Sequence, residues 1–238
     1  MRKHIPNTIT MLNLLSGFAA IIYASQGYIG HAVFLIIAGM VFDFADGMAA
    51  RLLRAYSDLG KDLDSLADVI TFGVAPGAIV FNLLSETGFP VLSSILVAGL
   101  IPVASALRLA KFNNDTTQSS SFRGMATPAS AFAVVSLVIA AEYGDSQVCQ
   151  SLTGSPLFLK SLPALLAVMM LVNLRMFSLK FTHTRIKENE ERYLFIAVSL
   201  VLLIIFRLAA APLIIAAYIL ISLLFTILGR TGTASGAS

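Results

Sequence analysis

The chain has 238 residues, of which 57% are hydrophobic and only 12% are charged, about half the roughly 25% charged content of a soluble domain. The mean hydropathy is +0.85. A membrane-spanning helix needs about 20 mainly apolar residues, so the length accommodates about eight spans and excludes a sizeable soluble domain. The single cysteine excludes an intramolecular disulfide. The net charge of +3 comes without a basic tail, so no nucleic-acid partner is expected.

Apolar runs separated by glycine, proline and polar residues predict eight helices in chain order. They cover residues 8–25, 31–52, 64–84, 90–112, 125–142, 157–178, 192–209 and 212–229. Polar residues within the first run favour an uncleaved first span over a secretory signal peptide. The predicted fold class is therefore an all-α polytopic membrane protein.

The distribution of Lys and Arg predicts the topology, because cytoplasmic loops are enriched in these residues. With a cytoplasmic N-terminus and eight alternating helices, fourteen of the sixteen Lys and Arg residues fall on the cytoplasmic side. Only Lys160 and Arg207 fall toward the other side. The sequence predicts a multi-pass protein of the cell (inner) membrane, with both termini in the cytoplasm and outer loops at 85–90 and 143–156.

An aspartate cluster, Asp43, Asp46, Asp64 and Asp68, interrupts the apolar pattern where the second helix ends and the third begins. Carboxylates at membrane depth are costly and are normally functional. The first two are three residues apart and the last two are four apart, so each pair projects from one helix face. A polar turn at 54–59 is expected to fold the two helices antiparallel and to bring the four carboxylates together near the cytoplasmic surface.

Converging carboxylates cannot all remain ionised without cations, because like charges repel. Mg²⁺ and Mn²⁺ prefer ligand sets made of oxygen atoms, and two such ions roughly 3.5–4 Å apart would clamp a phosphate. The small residues Gly47 and Ala50 leave room for a bulky ligand. Arg51 can donate a bidentate pair of hydrogen bonds to phosphate, and Gly60 permits a tight helix start.

The spacing of these residues resembles the signature D-x2-D-G-x2-A-R-x8-G-x3-D-x3-D of the CDP-alcohol phosphatidyltransferases at every fixed position. The resemblance implies a six-helix core, a cytoplasmic active site and a homodimer. It implies that Asp43, Asp46 and Asp64 are metal ligands, and that Asp68 is both close to the metals and the general base. It also implies that Arg51 and the residue matching Ser57 lie near the phosphates and nucleotide of the donor, CDP-diacylglycerol.

The resemblance covers about residues 5–180. It predicts a core at 1–182, two additional helices within 183–229 and a tail at 230–238.

The run after Asp64, DSLADVITFGVAP, is similar to the DSLAD-x3-FG-x-AP run of bacterial and archaeal phosphatidylserine synthases. Residues 7–17, 107–113 and 122–128 also resemble this serine-using group, although Met125-Ala126 departs from the usual G-L-P-x-P form.

The function implied is transfer of the phosphatidyl group from CDP-diacylglycerol to the hydroxyl of L-serine, with release of CMP. Asp68 would accept the hydroxyl proton. The candidates for binding the acceptor are Arg108, Lys111, Asn113 and Arg123. The candidates for binding the cytidine or phosphates are Asn7, Thr10 and Asn13. Ordinary topology, helix capping and helix packing are the alternative explanations for these polar residues.

Two alternative functions remain open. The first is an enzyme of the same family that uses another acceptor, such as glycerol 3-phosphate, inositol phosphate or choline. A transporter or channel using intramembrane carboxylates would instead place acids near the bilayer midplane, in corresponding positions of inverted repeats. The sequence has no internal repeat, and its acids lie in one helix pair.

Overall fold

The computed structural model describes residues 4–114, 122–176 and 190–227. Within these ranges the chain forms eleven α-helices and two two-residue strands, β1 Phe122–Arg123 and β2 Arg175–Met176, which pair antiparallel. The helices are α1 His4–Ser25, α2 Ile29–Leu52, α3 Asp58–Asp68, α4 Ala75–Glu86, α5 Val91–Ala98, α6 Leu100–Asn114, α7 Thr127–Glu142, α8 Gln147–Thr153, α9 Pro156–Leu171, α10 Glu190–Phe206 and α11 Ala211–Ile227. A π-helical segment, Val69–Val74, joins α3 to α4.

Five helical stretches of the described residues are long and apolar enough to cross a membrane, and the bent pair α8–α9 makes a sixth if it counts as one span. The five stretches are His4–Ser25, Ile29–Leu52, Asp58–Glu86, Val91–Asn114 and Glu190–Thr226. Helix α7 is apolar but shorter. The prediction of an all-α polytopic membrane protein is confirmed.

The stretch from Glu190 to Thr226 folds back on itself. Arg207, which follows α10, has a φ of +50°, a left-handed conformation that helix interiors do not adopt. The ring centroids of Phe195 and Tyr218 are 5.8 Å apart, whereas one straight helix would separate these residues by roughly 35 Å. The two predicted helices 192–209 and 212–229 therefore form an antiparallel hairpin.

The third helix begins earlier than predicted. It starts at Asp58 rather than near residue 64, because the Ser57 Oγ accepts a hydrogen bond from the Gly60 backbone N–H at 3.0 Å and caps it. Such a cap satisfies one of the N–H groups that a helix start leaves without a partner. The second pair of the aspartate cluster consequently lies inside a formed helix, α3.

Two boundaries later in the chain were also predicted wrongly. The predicted helix 157–178 ends at Leu171, because Val172 has extended backbone angles (φ −71°, ψ 143°) and the chain continues into β2. The predicted outer loop 143–156 contains α8, whose start is capped by the Ser146 side chain. The predicted boundary between residues 182 and 183, and the tail 230–238, lie outside the described residues.

Helix α1 lies at the centre of the part of the bundle that carries the aspartates, and it packs against α2, α3, α4 and the π-helical segment. Small residues allow this close approach. A Cβ atom on Gly17 would lie 2.7 Å from the Thr71 Cα, and one on Gly39 would meet the Thr71 methyl group. The Thr71 Oγ1 donates a hydrogen bond to the Asn13 carbonyl at 2.9 Å. These contacts fix α1, α2 and the π-helical segment together one turn beyond Asp68.

We expect Gly17→Ala to lower the free energy of unfolding by about 1–3 kcal/mol, the usual effect of adding a methyl group to a tightly packed contact. Thermal unfolding of the purified protein in detergent measures the effect. Gly154→Ala is the matched control, since its Cβ would meet its nearest atom at an ordinary 3.4 Å. Equal melting temperatures for the two variants would contradict the assigned contact between α1 and Thr71.

Candidate active site

Three carboxylates of the aspartate cluster meet in space. One carboxylate oxygen from each of Asp43, Asp64 and Asp68 lies within 4.8 Å of those from the other two. Asp68 is only 7% exposed, and the other two are half-buried. The prediction that the two helices bring these side chains together is borne out for this trio.

The fourth member, Asp46, lies beside the trio and is fixed by α1. Its Oδ2 accepts a hydrogen bond of 2.6 Å from the Thr10 Oγ1, and the residue is buried. Its carboxylate interacts electrostatically with those of Asp43, Asp64 and Asp68. All four aspartates therefore share one electrostatic environment.

Helix α1 also contacts the general-base candidate. The Asn13 Nδ2 donates to the Asp68 Oδ1 at 3.4 Å, while the Asn13 Oδ1 is buried and accepts no hydrogen bond from any described residue. Thr10 and Asn13 are three residues apart and so face the same side of α1. The structure thus places both side chains on carboxylates, and their predicted contact with the cytidine or phosphates stays a prediction.

The start of α3 brings together three residues that the signature singles out. A Cβ atom on Gly60 would lie 3.0 Å from the Ser57 Oγ and 3.1 Å from the Asn7 Oδ1. Glycine therefore lets α1 and the capped start of α3 approach each other. Ser57 has a local capping role in addition to its predicted place near the donor.

The C-terminal end of α2 has free space beside its small residue Gly47. A Cβ atom on Gly47 would meet nothing within 4 Å, so packing within the described residues does not require a glycine there. Ala50 is half-buried, and Arg51 is exposed with its Nε donating to the Gly47 carbonyl at 3.0 Å. This surface leaves room for a ligand next to the aspartate cluster.

The chemistry of the cluster fits a hard divalent cation. The grouped ligand atoms are all carboxylate oxygens, which Mg²⁺, Mn²⁺ and Ca²⁺ prefer. The Asp64 Oδ1 is buried and has no hydrogen-bond partner within residues 4–114, 122–176 and 190–227. A buried carboxylate oxygen of this kind needs a positive charge or a donor close to it.

Among the predicted acceptor-binding residues whose side chains the structure describes, Arg108 is the most buried. It is only 8% exposed, and its Nη1 donates to the Thr127 Oγ1 at 3.4 Å. Its Nε is buried, and the described part of the chain offers it no hydrogen-bond partner. Its guanidinium interacts electrostatically with Asp68 and with Tyr218 of α11. Arg108 is therefore buried within electrostatic reach of Asp68, and its role in binding the acceptor stays a prediction.

The other acceptor candidates lie in different surroundings. Lys111 is exposed. The Asn113 Nδ2 donates a hydrogen bond to the Ser65 Oγ at 2.7 Å. The backbone carbonyl of Asn113 accepts one from the Lys61 Nζ at 3.0 Å, so Asn113 joins α6 to α3. Arg123 lies in β1, and its side chain is outside the described residues.

Three residues near the site were not singled out by sequence reasoning. Thr71 binds the backbone of α1, Thr127 contacts the Arg108 guanidinium, and Tyr218 lies close to the same guanidinium. The two threonines fall within stretches that resemble the serine-using group, which could have marked them. Tyr218 lies in a uniformly apolar run and carried no signal in the sequence.

A model of the CDP-alcohol phosphatidyltransferase family matches residues 3–159, about two thirds of the chain and all of the aspartate cluster. The chain belongs to this family, and it is a transferase. Members of the family depend on metal ions, in agreement with the carboxylate ligand set. The alternative of a transporter is not favoured.

Among similar proteins, the CDP-diacylglycerol–serine O-phosphatidyltransferase of Bacillus subtilis (strain 168) is 42% identical over 137 residues, 58% of this chain and 75% of that protein. The enzyme of the same name from Helicobacter pylori (strain 26695) is 33% identical over 219 residues, 90% of this chain and 87% of that protein. The archaetidylserine synthase of Methanothermobacter thermautotrophicus is 32% identical over 143 residues, 59% of this chain and 60% of that protein.

We expect Thr10→Val to weaken metal binding by about 10–100-fold, the usual effect of removing a partner that orients a metal ligand. The substitution keeps the side-chain shape and removes the hydrogen bond to Asp46. Titration of the purified protein with Mn²⁺, followed by electron paramagnetic resonance, measures the affinity. Thr8→Val is the matched control, because Thr8 is exposed on the same helix and bonds only the His4 carbonyl among the contacts described. An unchanged affinity in Thr10→Val would contradict the role given to this hydrogen bond.

Proposed function

We propose that this protein is a phosphatidylserine synthase, which transfers the phosphatidyl group of CDP-diacylglycerol to the hydroxyl of L-serine and releases CMP. The observation that carries the proposal is the convergence of Asp43, Asp64 and Asp68 within 4.8 Å, at the signature positions of a phosphatidyltransferase family. The fourth aspartate and the open surface above Gly47 complete a site that can take a charged phosphate group.

The aspartate cluster would hold two divalent cations, Mg²⁺ or Mn²⁺. Asp43, Asp46 and Asp64 are the proposed ligands, with Asp68 close to the same ions. Bound there, the cations supply positive charge beside the phosphates of the donor and the departing CMP. Arg51, at the exposed end of α2, is the proposed protein partner of those phosphates, with Ser57 nearby.

Asp68 is the proposed general base. Its burial and the hydrogen bond from Asn13 hold the carboxylate in one orientation, as a base must be held within reach of the proton that it removes. Asp68 accepts the proton of the serine hydroxyl, and the serine oxygen forms a bond to the phosphorus that carries diacylglycerol. The bond from this phosphorus to the CMP oxygen breaks, and CMP leaves with the electron pair.

Serine is the acceptor that the similar proteins have in common. The names of the bacterial relatives and of the archaeal relative differ in the lipid but agree on serine. The buried Arg108 suits the serine carboxylate, because a guanidinium binds a carboxylate through paired charge-assisted hydrogen bonds. Glycerol 3-phosphate and inositol phosphate as acceptors are therefore less well supported.

We place the site at the cytoplasmic face of the cell membrane, with both termini in the cytoplasm. Arg51, Lys61 and Arg108 lie at the same end of the bundle as the aspartate cluster, as positive residues do at a cytoplasmic face. Lys160 lies near Phe89, beyond the far end of α4. A homodimer is proposed from the family resemblance alone.

We expect the purified chain to release CMP from CDP-diacylglycerol in the presence of L-serine and Mg²⁺ or Mn²⁺. We expect Asp68→Asn to lower kcat by about 10²–10⁴-fold, because that is the usual contribution of a general base. Radiolabelled serine incorporated into lipid measures the transfer. Asp62→Asn is the matched control, since Asp62 is exposed on the same helix. CMP release that depends on another alcohol but not on serine would change the acceptor, and no release with any acceptor would contradict the enzyme.

We expect Arg108→Met to raise the KM for serine by about 10–100-fold, because it removes a charged hydrogen-bonding group from a buried position. The KM for CDP-diacylglycerol should change much less. Lys160→Met is the control, as it removes a cation far from the aspartate cluster. A parallel rise in both KM values would show that Arg108 supports the fold rather than the acceptor.

A further inference from the structure

The C-terminal hairpin, formed by α10 and α11, lies beyond the family match at residues 3–159. It nevertheless reaches the candidate site. Helix α11 packs against α7 and β2, and Tyr218 of α11 is buried at 9% exposure. Its phenol interacts electrostatically with Arg108. The hairpin therefore forms part of the wall around the proposed acceptor-binding guanidinium.

A carboxylate from the same hairpin also interacts with this phenol. Glu191, in the first turn of α10, interacts electrostatically with Tyr218 and with its sequence neighbour Arg192. The Glu191 Oε2 is buried and has no hydrogen-bond partner among the residues that the structure describes. The Arg108 Nε is likewise buried, with no partner among those residues. Tyr218 thus interacts both with a residue that has a buried donor, Arg108, and with a residue that has a buried acceptor, Glu191.

Leaving buried polar atoms without partners is costly, and such atoms in a native protein call for an explanation. A zwitterionic amino acid satisfies both, because it carries a carboxylate and an ammonium group on one carbon. Arg108 matches the carboxylate, and Glu191 matches the ammonium group, which donates three hydrogen bonds and accepts none.

We infer that Glu191 and Tyr218 of the C-terminal hairpin form, together with Arg108, a pocket for the charged groups of a free amino acid, with Glu191 binding the ammonium group. The inference rests on the proposed function and extends it to the acceptor specificity. The Glu191 carboxylate also disfavours binding of the alternative acceptors. Glycerol 3-phosphate and inositol phosphate carry only negative charge, so Glu191 repels them and thereby favours serine.

The test compares acceptors on the full-length, purified enzyme with CDP-diacylglycerol and saturating metal. L-Serine carries both charged groups, 3-hydroxypropionate lacks the ammonium group, and ethanolamine lacks the carboxylate. We expect Glu191→Gln to raise the KM for serine by about tenfold or more, with the KM for CDP-diacylglycerol unchanged. The preference for serine over 3-hydroxypropionate should fall by a similar factor. Tyr218→Phe should raise the serine KM by less.

Glu190→Gln is the matched control, because Glu190 is an exposed acid in the same turn and should leave the acceptor preference unchanged. The inference is overturned if Glu191→Gln keeps the wild-type preference or if Glu190→Gln changes it equally. If Glu191→Gln is inactive with every acceptor, Glu191→Asp must restore the serine preference, and failure to do so overturns the inference as well. A wild-type enzyme that does not use serine would instead overturn the proposed function.

Discussion

Like-charge repulsion within the aspartate cluster is the constraint on which the surrounding architecture depends. Three of the four carboxylates lie within 4.8 Å of one another, at the end of apolar helices where water cannot fully separate the charges. The hydrogen bonds from Thr10 and Asn13 orient two of them, but neutral donors add no compensating charge. The Arg108 guanidinium interacts with Asp68, and the proposed divalent cations would supply further positive charge, so metal binding and formation of the site are expected to be coupled.

Helix α1 gives this arrangement its rigidity. One face of the helix donates side-chain hydrogen bonds to Asp46 and Asp68, and the same helix accepts one from Thr71. The absence of a side chain at Gly17 lets the π-helical segment approach closely, immediately after the proposed general base. Because the same short stretch both packs and orients the acids, helix packing and catalytic geometry cannot vary independently here.

Much of this site was predictable because its information is local. The i, i+3 and i, i+4 spacings of the aspartate cluster predict shared faces, and the apolar runs predict the helices that carry them. The places where the regular α-helical pattern of the chain changes were not predictable from the sequence. The π-helical segment follows Asp68 without any break in composition, and α8 forms in a stretch whose polar residues favoured a loop. The proximity of Tyr218 to Arg108 depends on tertiary packing, which hydropathy does not encode.

The proposed metal-binding and donor-binding residues were predictable from local sequence patterns, whereas the groups around the proposed acceptor-binding residue, Arg108, come together only through tertiary packing. The residues proposed to bind the metals lie on α2 and α3, and those proposed to bind the donor lie on α1, on α2 and at the start of α3. All of them fall inside the segment that the family model matches. The groups around Arg108 come from α6, α7 and the C-terminal hairpin, which are far apart in sequence. Under the proposed assignment, substitutions in the hairpin are expected to change the acceptor preference without disturbing phosphoryl chemistry. Acceptor preference is therefore expected to follow the groups that interact with Arg108, among them Thr127 and Tyr218.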